Sequence, residues 1–374
     1  MCDERRASFF PSSAQSQRAE ATVKAMSFEL LDQLAREGFE EMVALHDRRS
    51  GLRAFLAIHD SGPGRAFGGI RRWSYYDEEA ALRDCMRLAR AMTYKCALAR
   101  IPAGGAKMVL LDRPELHVEN AYRHLGEVVE RLGGRYYAGP DVGTNSAELA
   151  LVSERTRYVT DPGPDGPGEL AESTAAGVVA GIAAALRHLD GGEDWSKRTI
   201  VVQGLGEVGS RVALTLRGYG ARVLASELDA ERAELFAKQA GIERVDPTQE
   251  LDVPCDVFSP CALGGILHDL SVLRLRCRVV AGAANNVLAS PEHGEALHER
   301  GVLYVPDYAI NSGALMRGSR FHLDGVREPL ERIAARVGAV VESILGQSRE
   351  QGLSPARVAA REAEMLVERR RLER

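Results

Sequence analysis

The chain has 374 residues, 45% hydrophobic and 27% charged, which is more than one hydrophobic core usually covers, so two domains are expected. Its net charge of −5, with no dominant basic cluster, argues against nucleic acid or an anionic membrane as the main partner. No apolar run approaches the roughly 20 residues that span a bilayer, Met1 to Gln17 lacks the apolar stretch of a signal peptide, and the 6 cysteines show neither a CxxC pair nor zinc-ligand spacing.

The cysteines therefore read as buried thiols in a reducing cytosol, and a cytoplasmic protein without a metal is expected. Residues 1–26, with Pro11 and a Ser/Gln-rich run, read as a weakly ordered arm. Phe28, Leu31, Leu34 and Phe39 stand at near-helical spacing, Leu52 to His59 alternates as a strand, and Gly62-Pro63-Gly64 turns the chain. Asp77, followed by Glu78 and Glu79, is a helix N-cap with acids in the first turn. That helix carries Leu88, Met92 and Lys95 on one face, so a face that packs inward ends in an amine. Residues 106–112 predict a short buried strand, 119–132 a helix, and the Pro/Gly-rich stretch 161–168 a linker. A small-residue helix follows at 174–189. Strand-like runs then recur at 199–203, 222–226, 255–259, 277–281 and 302–305, which predicts a doubly wound parallel sheet and an α/β fold. Residues 330–371 are expected to be helical throughout, and the alternation of Arg361, Arg369, Arg370 and Arg371 with Glu362, Glu364 and Glu368 predicts a solvated helix there.

The clearest local motif is Gly204-Leu-Gly206-Glu207-Val208-Gly209, directly after strand 199–203 and directly before a helix. Gly204 permits the tight turn, Gly206 lets backbone approach a pyrophosphate, and Gly209 allows close packing. Free N–H groups at the helix start supply donors for the phosphates. Glu227 ends the next strand 23 residues after Gly204, where an acid grips the adenosine ribose diol. A carboxylate there repels a 2′-phosphate, so NAD is expected over NADP. Asp229 stands close enough to be the acid instead, or a helix cap.

Of the 48 basic residues only Lys24, Lys95, Lys107, Lys197 and Lys238 are lysine. Arginine cannot give up its proton, so a chain this biased toward it keeps lysine where a deprotonatable amine is needed. Lys95 and Lys107 fall in the stretches Met92-Thr-Tyr-Lys95 and Pro102-Ala-Gly-Gly-Ala-Lys107. With Gly68-Gly69-Ile-Arg71, Gly139-Pro-Asp-Val-Gly-Thr144, Pro260-Cys-Ala-Leu-Gly-Gly265, Ala281-Gly-Ala-Ala-Asn-Asn286 and Pro306-Asp-Tyr-Ala-Ile-Asn-Ser-Gly313, they run in order through the chain.

These motifs resemble the glutamate/leucine/phenylalanine/valine dehydrogenase family over residues 52–320, most closely its leucine, phenylalanine and valine branch. The resemblance implies a substrate domain at 27–165, completed by C-terminal helices at 340–374, and a Rossmann-type NAD domain at 166–339. It further implies Lys95 on the substrate α-carboxylate with Gly68 and Met92 beside it, Lys107 as the base that activates water, and Asp141 exchanging a proton with the substrate nitrogen. Thr174, Cys261, Ala262, Ala283 and Asn285 fall on the cofactor side and Asn286 on the substrate side, with the division between the two asparagines open. A base working near neutral pH must be partly deprotonated, so an ordinary lysine at ~10.4 does not serve. Burial, a second ammonium and a positive nicotinamide would all lower it.

Glutamate members of the family place a lysine where this chain has Phe67 and a serine where it has Gly318. Neither pairs with a γ-carboxylate, and burying one unpaired is costly. Phe67, Gly139, Leu315 and Gly318 are therefore expected to line an apolar pocket for a branched-chain or aromatic side chain, with the glycines leaving room. The expected activity is reversible, NAD-dependent oxidative deamination of an apolar L-amino acid, in a homo-oligomer of the kind the family forms. Two other readings compete: an NAD-dependent dehydrogenase of another small carboxylic acid, such as a hydroxy acid, and a non-catalytic NAD-binding protein. The 9 histidines sit in no Gly-flanked motif of the kind hydroxy-acid chemistry uses, and retention of Lys107 and Asp141 argues against a degenerate site.

Overall fold

The computed structural model describes residues 29–373 apart from 161, 162, 164 and 165, so the expected N-terminal arm, Phe28 and part of the expected linker lie outside the described residues. Helix α1 (Leu30–Glu37) stops at Gly38 in the left-handed region, which leaves Phe39 outside it. The first unit continues with β1 (Glu41–Asp47), β2 (Leu52–Asp60), β3 (Ala66–Trp73), α2 (Glu78–Leu98), β4 (Gly104–Leu111), α3 (Val118–Arg131), β5 (Tyr136–Gly139) and α4 (Ser146–Ser153). Its sheet runs β1-β2-β4-β3-β5, with β1 and β2 antiparallel to their neighbours and β4, β3 and β5 mutually parallel.

β4 is buried along its whole length because it is the middle strand of a sheet covered on both faces. Val109 and Leu111 pack with Ala81, Cys85 and Leu88 of α2, while Met108 and Leu110 pack with Tyr122 and Leu125 of α3. By the same alternation Lys107, in the middle of β4, points to the α2 side. Asp77 caps α2 as expected, its carboxylate accepting from Ala80 N at 2.7 Å. Strands β1, β3 and β5 are not expected from the sequence. β3 carries Gly68-Gly69 in its middle, a pair that reads as a turn, and β5 has only four residues.

The second unit contains α5 (Leu170–Asp190), β6 (Thr199–Gln203), α6 (Glu207–Gly218), β7 (Arg222–Ser226), α7 (Ala230–Ala240), β8 (Glu243–Arg244), β9 (Cys255–Pro260), α8 (Asp269–Arg274), β10 (Cys277–Val280), α9 (Glu292–Glu299), β11 (Leu303–Tyr304), α10 (Asp307–Ile310) and α11 (Gly313–Asp324). Its strands are all parallel in the order β11-β10-β9-β6-β7-β8. The order reverses between β6 and β9, as in a Rossmann-type sheet, and that switch point opens a crevice at the carboxyl ends of the strands. Every strand expected here is present, and the two-residue β8 is added.

Two expectations about helices need correction. Helix α5 is long and apolar enough by length and composition to cross a membrane, although no such run was expected; most of its apolar window is buried, packed against α11, α6 and the helix α12 (Leu330–Gln351), as in a core helix. The C-terminal stretch is helical and forms two helices. Gly352, in the left-handed region, ends α12, and Ser354 caps α13 (Pro355–Leu372) with Pro355 at its first turn. α12 packs chiefly on α5, whereas α13 packs on α2 of the first unit. Nor is the tail wholly solvated: Arg370 and Arg371 turn inward onto Asp60, which is 0% exposed, at 3.1 and 3.0 Å.

Candidate active site

The glycine-rich loop leaves β6 at the switch point. Gly204 has φ +85 and packs against Ala262, and a Cβ at Gly209 would stand 2.0 Å from Gly204 O, so neither position accepts a side chain. A Cβ at Gly206 would meet nothing within 4 Å, so that face of the loop is open to a ligand. Glu207 and Val208 open α6 directly behind it. Cys261 N donates to Gln203 O at 2.8 Å, which holds the end of β9 beside the loop. Glu227 follows β7, and its carboxylate accepts from Leu205 N at 2.9 Å and from Asp229 N at 3.1 Å. Asp229 is the cap of α7, accepting from Arg232 N at 3.0 Å. Glu227 is thus the acid beside the loop, and Asp229 the cap of the next helix. The residues present fit a dinucleotide: a turn, open backbone at a helix start, and an acid aimed back at the turn.

Across the cleft, Lys107 Nζ lies 2.8 Å from Asp141 Oδ2, with the two side chains 5% and 6% exposed. Gly69 makes this possible, since a Cβ there would stand 3.2 Å from Lys107 Nζ and 2.6 Å from Pro140 O. Arg71 Nε reaches the same Asp141 oxygen at 2.8 Å, and its Nη1 meets Asp84 Oδ2 at 3.0 Å. Burial pushes the Lys107 amine down, the Arg71 guanidinium adds to that, and the Asp141 carboxylate opposes it. Burial alone would raise Asp141, but Lys107 and Arg71 outweigh it and hold the carboxyl below its usual range.

Lys95, on α2, is pushed down to about 8 by burial, against the pull of Asp307. Its Nζ donates to Asn285 Oδ1 at 3.2 Å, and Asn311 Nδ2 donates to the same oxygen at 2.8 Å. Asn286 is left-handed at φ +51, its N–H held by the Asp307 carboxylate, and its side-chain Nδ2 is buried without a hydrogen-bond partner. Lys95, Lys107, Met92, Asn285, Asn286, Asp307 and Tyr308 line one cavity of about 20 Å³. Both asparagines therefore face it, and Lys95 meets Asn285, the one assigned to the cofactor side. Ala283 O accepts from Asn311 at 3.0 Å, and Thr174 Oγ1 donates to Leu170 O within α5 at 3.2 Å.

The residues expected to line a side-chain pocket gather on a separate wall. Phe67 is buried and stacks on Tyr137 at 4.8 Å, with His322 at 4.9 Å from Tyr137. Leu315 is partly buried against the same core cluster. Gly318 does not leave the room expected of it: a Cβ there would stand 2.9 Å from the Thr160 methyl, so Thr160 already fills the space. Gly139 is looser, with nothing nearer than 3.8 Å. Thr160 Oγ1 lies 3.0 Å from His322 Nε2, and burial pushes His322 down to about 4, so the imidazole is neutral near pH 7.

Sequence reasoning missed Arg71, Asp84 and Tyr75, and gave no role to Asp307, Asn311, Thr160 or His322. Asp84 was within reach of it, because it lies four residues before Leu88 on the face already marked by Leu88, Met92 and Lys95. Thr160 and His322 are brought together only by the fold.

The family model described as "Glu/Leu/Phe/Val dehydrogenase, dimerisation domain" matches residues 40–158, and the one described as "Glutamate/Leucine/Phenylalanine/Valine dehydrogenase" matches residues 226–321. A leucine dehydrogenase from Thermoactinomyces intermedius is 36% identical over 345 residues, covering 91% of this chain and 93% of that protein. A phenylalanine dehydrogenase from the same organism is 34% identical, covering 85% and 87%. The crystal structure of L-tryptophan dehydrogenase from Nostoc punctiforme superposes with a TM-score of 0.76 at 33% identity, covering 91% of this chain and 99% of that one. The paired lysines, the buried aspartate and the glycine-rich crevice thus stand in a chain that belongs to the Glutamate/Leucine/Phenylalanine/Valine dehydrogenase family.

Proposed function

We propose that this protein catalyses the reversible, NAD-dependent oxidative deamination of an apolar L-amino acid, branched-chain or aromatic, to its 2-oxo acid and ammonia. The observation that carries the proposal is Lys107 Nζ at 2.8 Å from Asp141 in a buried cavity that Lys95 also lines. Residues 27–165 with 340–374 supply the substrate side and 166–339 the cofactor side.

Lys95 as the ammonium binds the α-carboxylate, exchanging its neutral partner Asn285 for a charged one and so forming a stronger hydrogen bond. The unpartnered Asn286 amide supplies a further donor in the same cavity. Gly204, Gly206, Gly209 and Glu227 hold NAD, which when bound accepts the hydride from the substrate Cα. Lys107, neutral, takes a proton from the water that attacks the resulting imino carbon. Asp141, held as a carboxylate, passes a proton to and from the substrate nitrogen as it leaves as ammonia. Amino acid, water and NAD⁺ become oxo acid, ammonium, NADH and one proton.

The side chain of the substrate is assigned to the wall of Phe67, Gly139, Leu315 and Gly318. None of these four residues carries a charge to pair with a γ-carboxylate, which disfavours glutamate. The leucine, phenylalanine and tryptophan dehydrogenases among the relatives support an apolar choice. The description of residues 40–158 as a dimerisation domain supports a homo-oligomer. The five described cysteines are all free, which supports a cytoplasmic location.

The test is NADH or NADPH formation with a panel of amino acids and hydroxy acids. Turnover of NAD with leucine-like or aromatic amino acids, and none with glutamate or hydroxy acids, is expected. Turnover of a hydroxy acid and of no amino acid would overturn the proposal.

A further inference from the structure

We propose that Arg71 is the positioning residue that frees Lys107 to act as a base, by serving as the permanent counter-ion of Asp141. The inference rests on the reading of Lys107 as the base.

A buried carboxylate needs a cation, and removing its only one leaves an uncompensated charge. If Lys107 were that cation, its proton would be the one thing the site could not release, and the amine would stay an ammonium. Arg71 removes this conflict. Its Nε lies 2.8 Å from Asp141 Oδ2, the oxygen Lys107 also meets at 2.8 Å, and a guanidinium does not deprotonate. Asp141 therefore keeps a partner when Lys107 is neutral. Arg71 is itself balanced by Asp84 at 3.0 Å, and Asp84 accepts from Tyr75 OH at 2.6 Å and Arg87 at 2.8 Å. Arg71 and Asp84 thus act on Lys107 in opposite senses, the guanidinium favouring the neutral amine and the carboxylate the charged one.

The other titratable groups near Lys107 leave this pair in control. On α2, Cys85 is pushed up to about 12 by burial and stays neutral, and Lys95 adds a positive charge across the cavity. Tyr136 on β5 is raised well above its ordinary value by burial and stays neutral. On α10, Asp307 stands opposite Lys95, and Tyr308 is raised by burial. None of these groups hydrogen-bonds Asp141 among the described residues; Arg71 and Lys107 do.

The scarcity of lysine makes a direct test practical. With lysine labelled at Nζ, the protein gives five side-chain signals, and that of Lys107 is identified by its loss in Lys107→Arg. Its titration midpoint in the wild type should lie below the ordinary lysine value. Arg71→Gln should raise it by about one unit or more, and Asp84→Asn should lower it. Arg71→Lys, which keeps a cation, should stay closer to the wild type. Opposite shifts from Arg71→Gln and Asp84→Asn are not produced by a general loosening of the site, and the second variant keeps the test open if the first fails to fold. The acid limb of kcat/KM against pH should move with the Lys107 midpoint in each variant. A midpoint unmoved in both variants, or rates lowered uniformly at every pH, would overturn the role of Arg71. A wild type that oxidises no amino acid would instead overturn the proposed function and leave the titration to judge Arg71 alone.

Discussion

Two residues that look alike in the sequence are made different by their surroundings. Lys95 and Lys107 are both buried, but Lys107 touches a carboxylate and Lys95 a neutral amide. Lys95 falls from an ordinary 10.5 to about 8 in the folded chain because burial disfavours its charge. A depressed lysine means the folded state binds fewer protons than the unfolded one between about 8 and 10.5, so this residue makes stability rise with pH across that window. A carboxylate ligand requires the ammonium. Binding of a 2-oxo acid above pH 8 should therefore take up a proton at Lys95, and the uptake should fade as the pH falls below that value. Calorimetry in two buffers of different ionisation heat reads the uptake directly, and its absence above pH 8 would remove Lys95 from the carboxylate site. At the other end of the crevice, Glu227→Ser removes the charge that repels a 2′-phosphate. The ratio of kcat/KM for NAD to that for NADP should fall by at least about tenfold, a difference of about 1.4 kcal/mol, and an unchanged ratio would exclude Glu227 from the ribose site. Lysine rarity, the glycine spacing and the acid at 227 were legible in the sequence because each is a local pattern. Arg71 was visible only as a motif letter, since its contacts with Asp84 and Asp141 span 13 and 70 residues.

Elements repeat the same division between local and distant causes. Five of the six strands of the second sheet were readable as apolar runs because a parallel sheet is covered on both faces, whereas the charged, two-residue β8 was not. β1, β3 and β5 were not, because β1 is an edge strand with a mixed pattern, β3 holds two glycines, and β5 has only four residues. The tail helix was misread for a related reason. An alternating Arg/Glu pattern describes a solvated surface unless a buried acid elsewhere claims the arginines, and Asp60, some 310 residues away, does so. Asp60→Asn leaves two half-buried guanidiniums without their shared carboxylate. Breaking a buried pair costs about 3–5 kcal/mol, so the thermal midpoint should fall clearly while NAD affinity is kept. An unchanged midpoint would show that α13 is held by its apolar contacts with α2 instead.

At the scale of the whole molecule, the two units meet across a cavity of about 20 Å³. That volume admits about one water, far less than an amino acid and a nicotinamide ring. The hydrogen bond from Lys95 to Asn285 crosses between the units, beside the packing of α10 and α13 on α2. Substrate entry therefore requires this cavity to widen. Small-angle X-ray scattering should show a larger radius of gyration for the free protein than for the protein with NAD and a 2-oxo acid. Equal radii would mean that ligands enter without separation of the units.

Lys107 as the base is the role on which the proposed chemistry depends, and the most direct test is Lys107→Ala examined for turnover and for NAD binding on the same preparation. Amino-acid oxidation should vanish while the dissociation constant for NAD, measured by calorimetry, stays close to the wild-type value. Retained turnover, or NAD binding lost together with activity, would contradict the assignment.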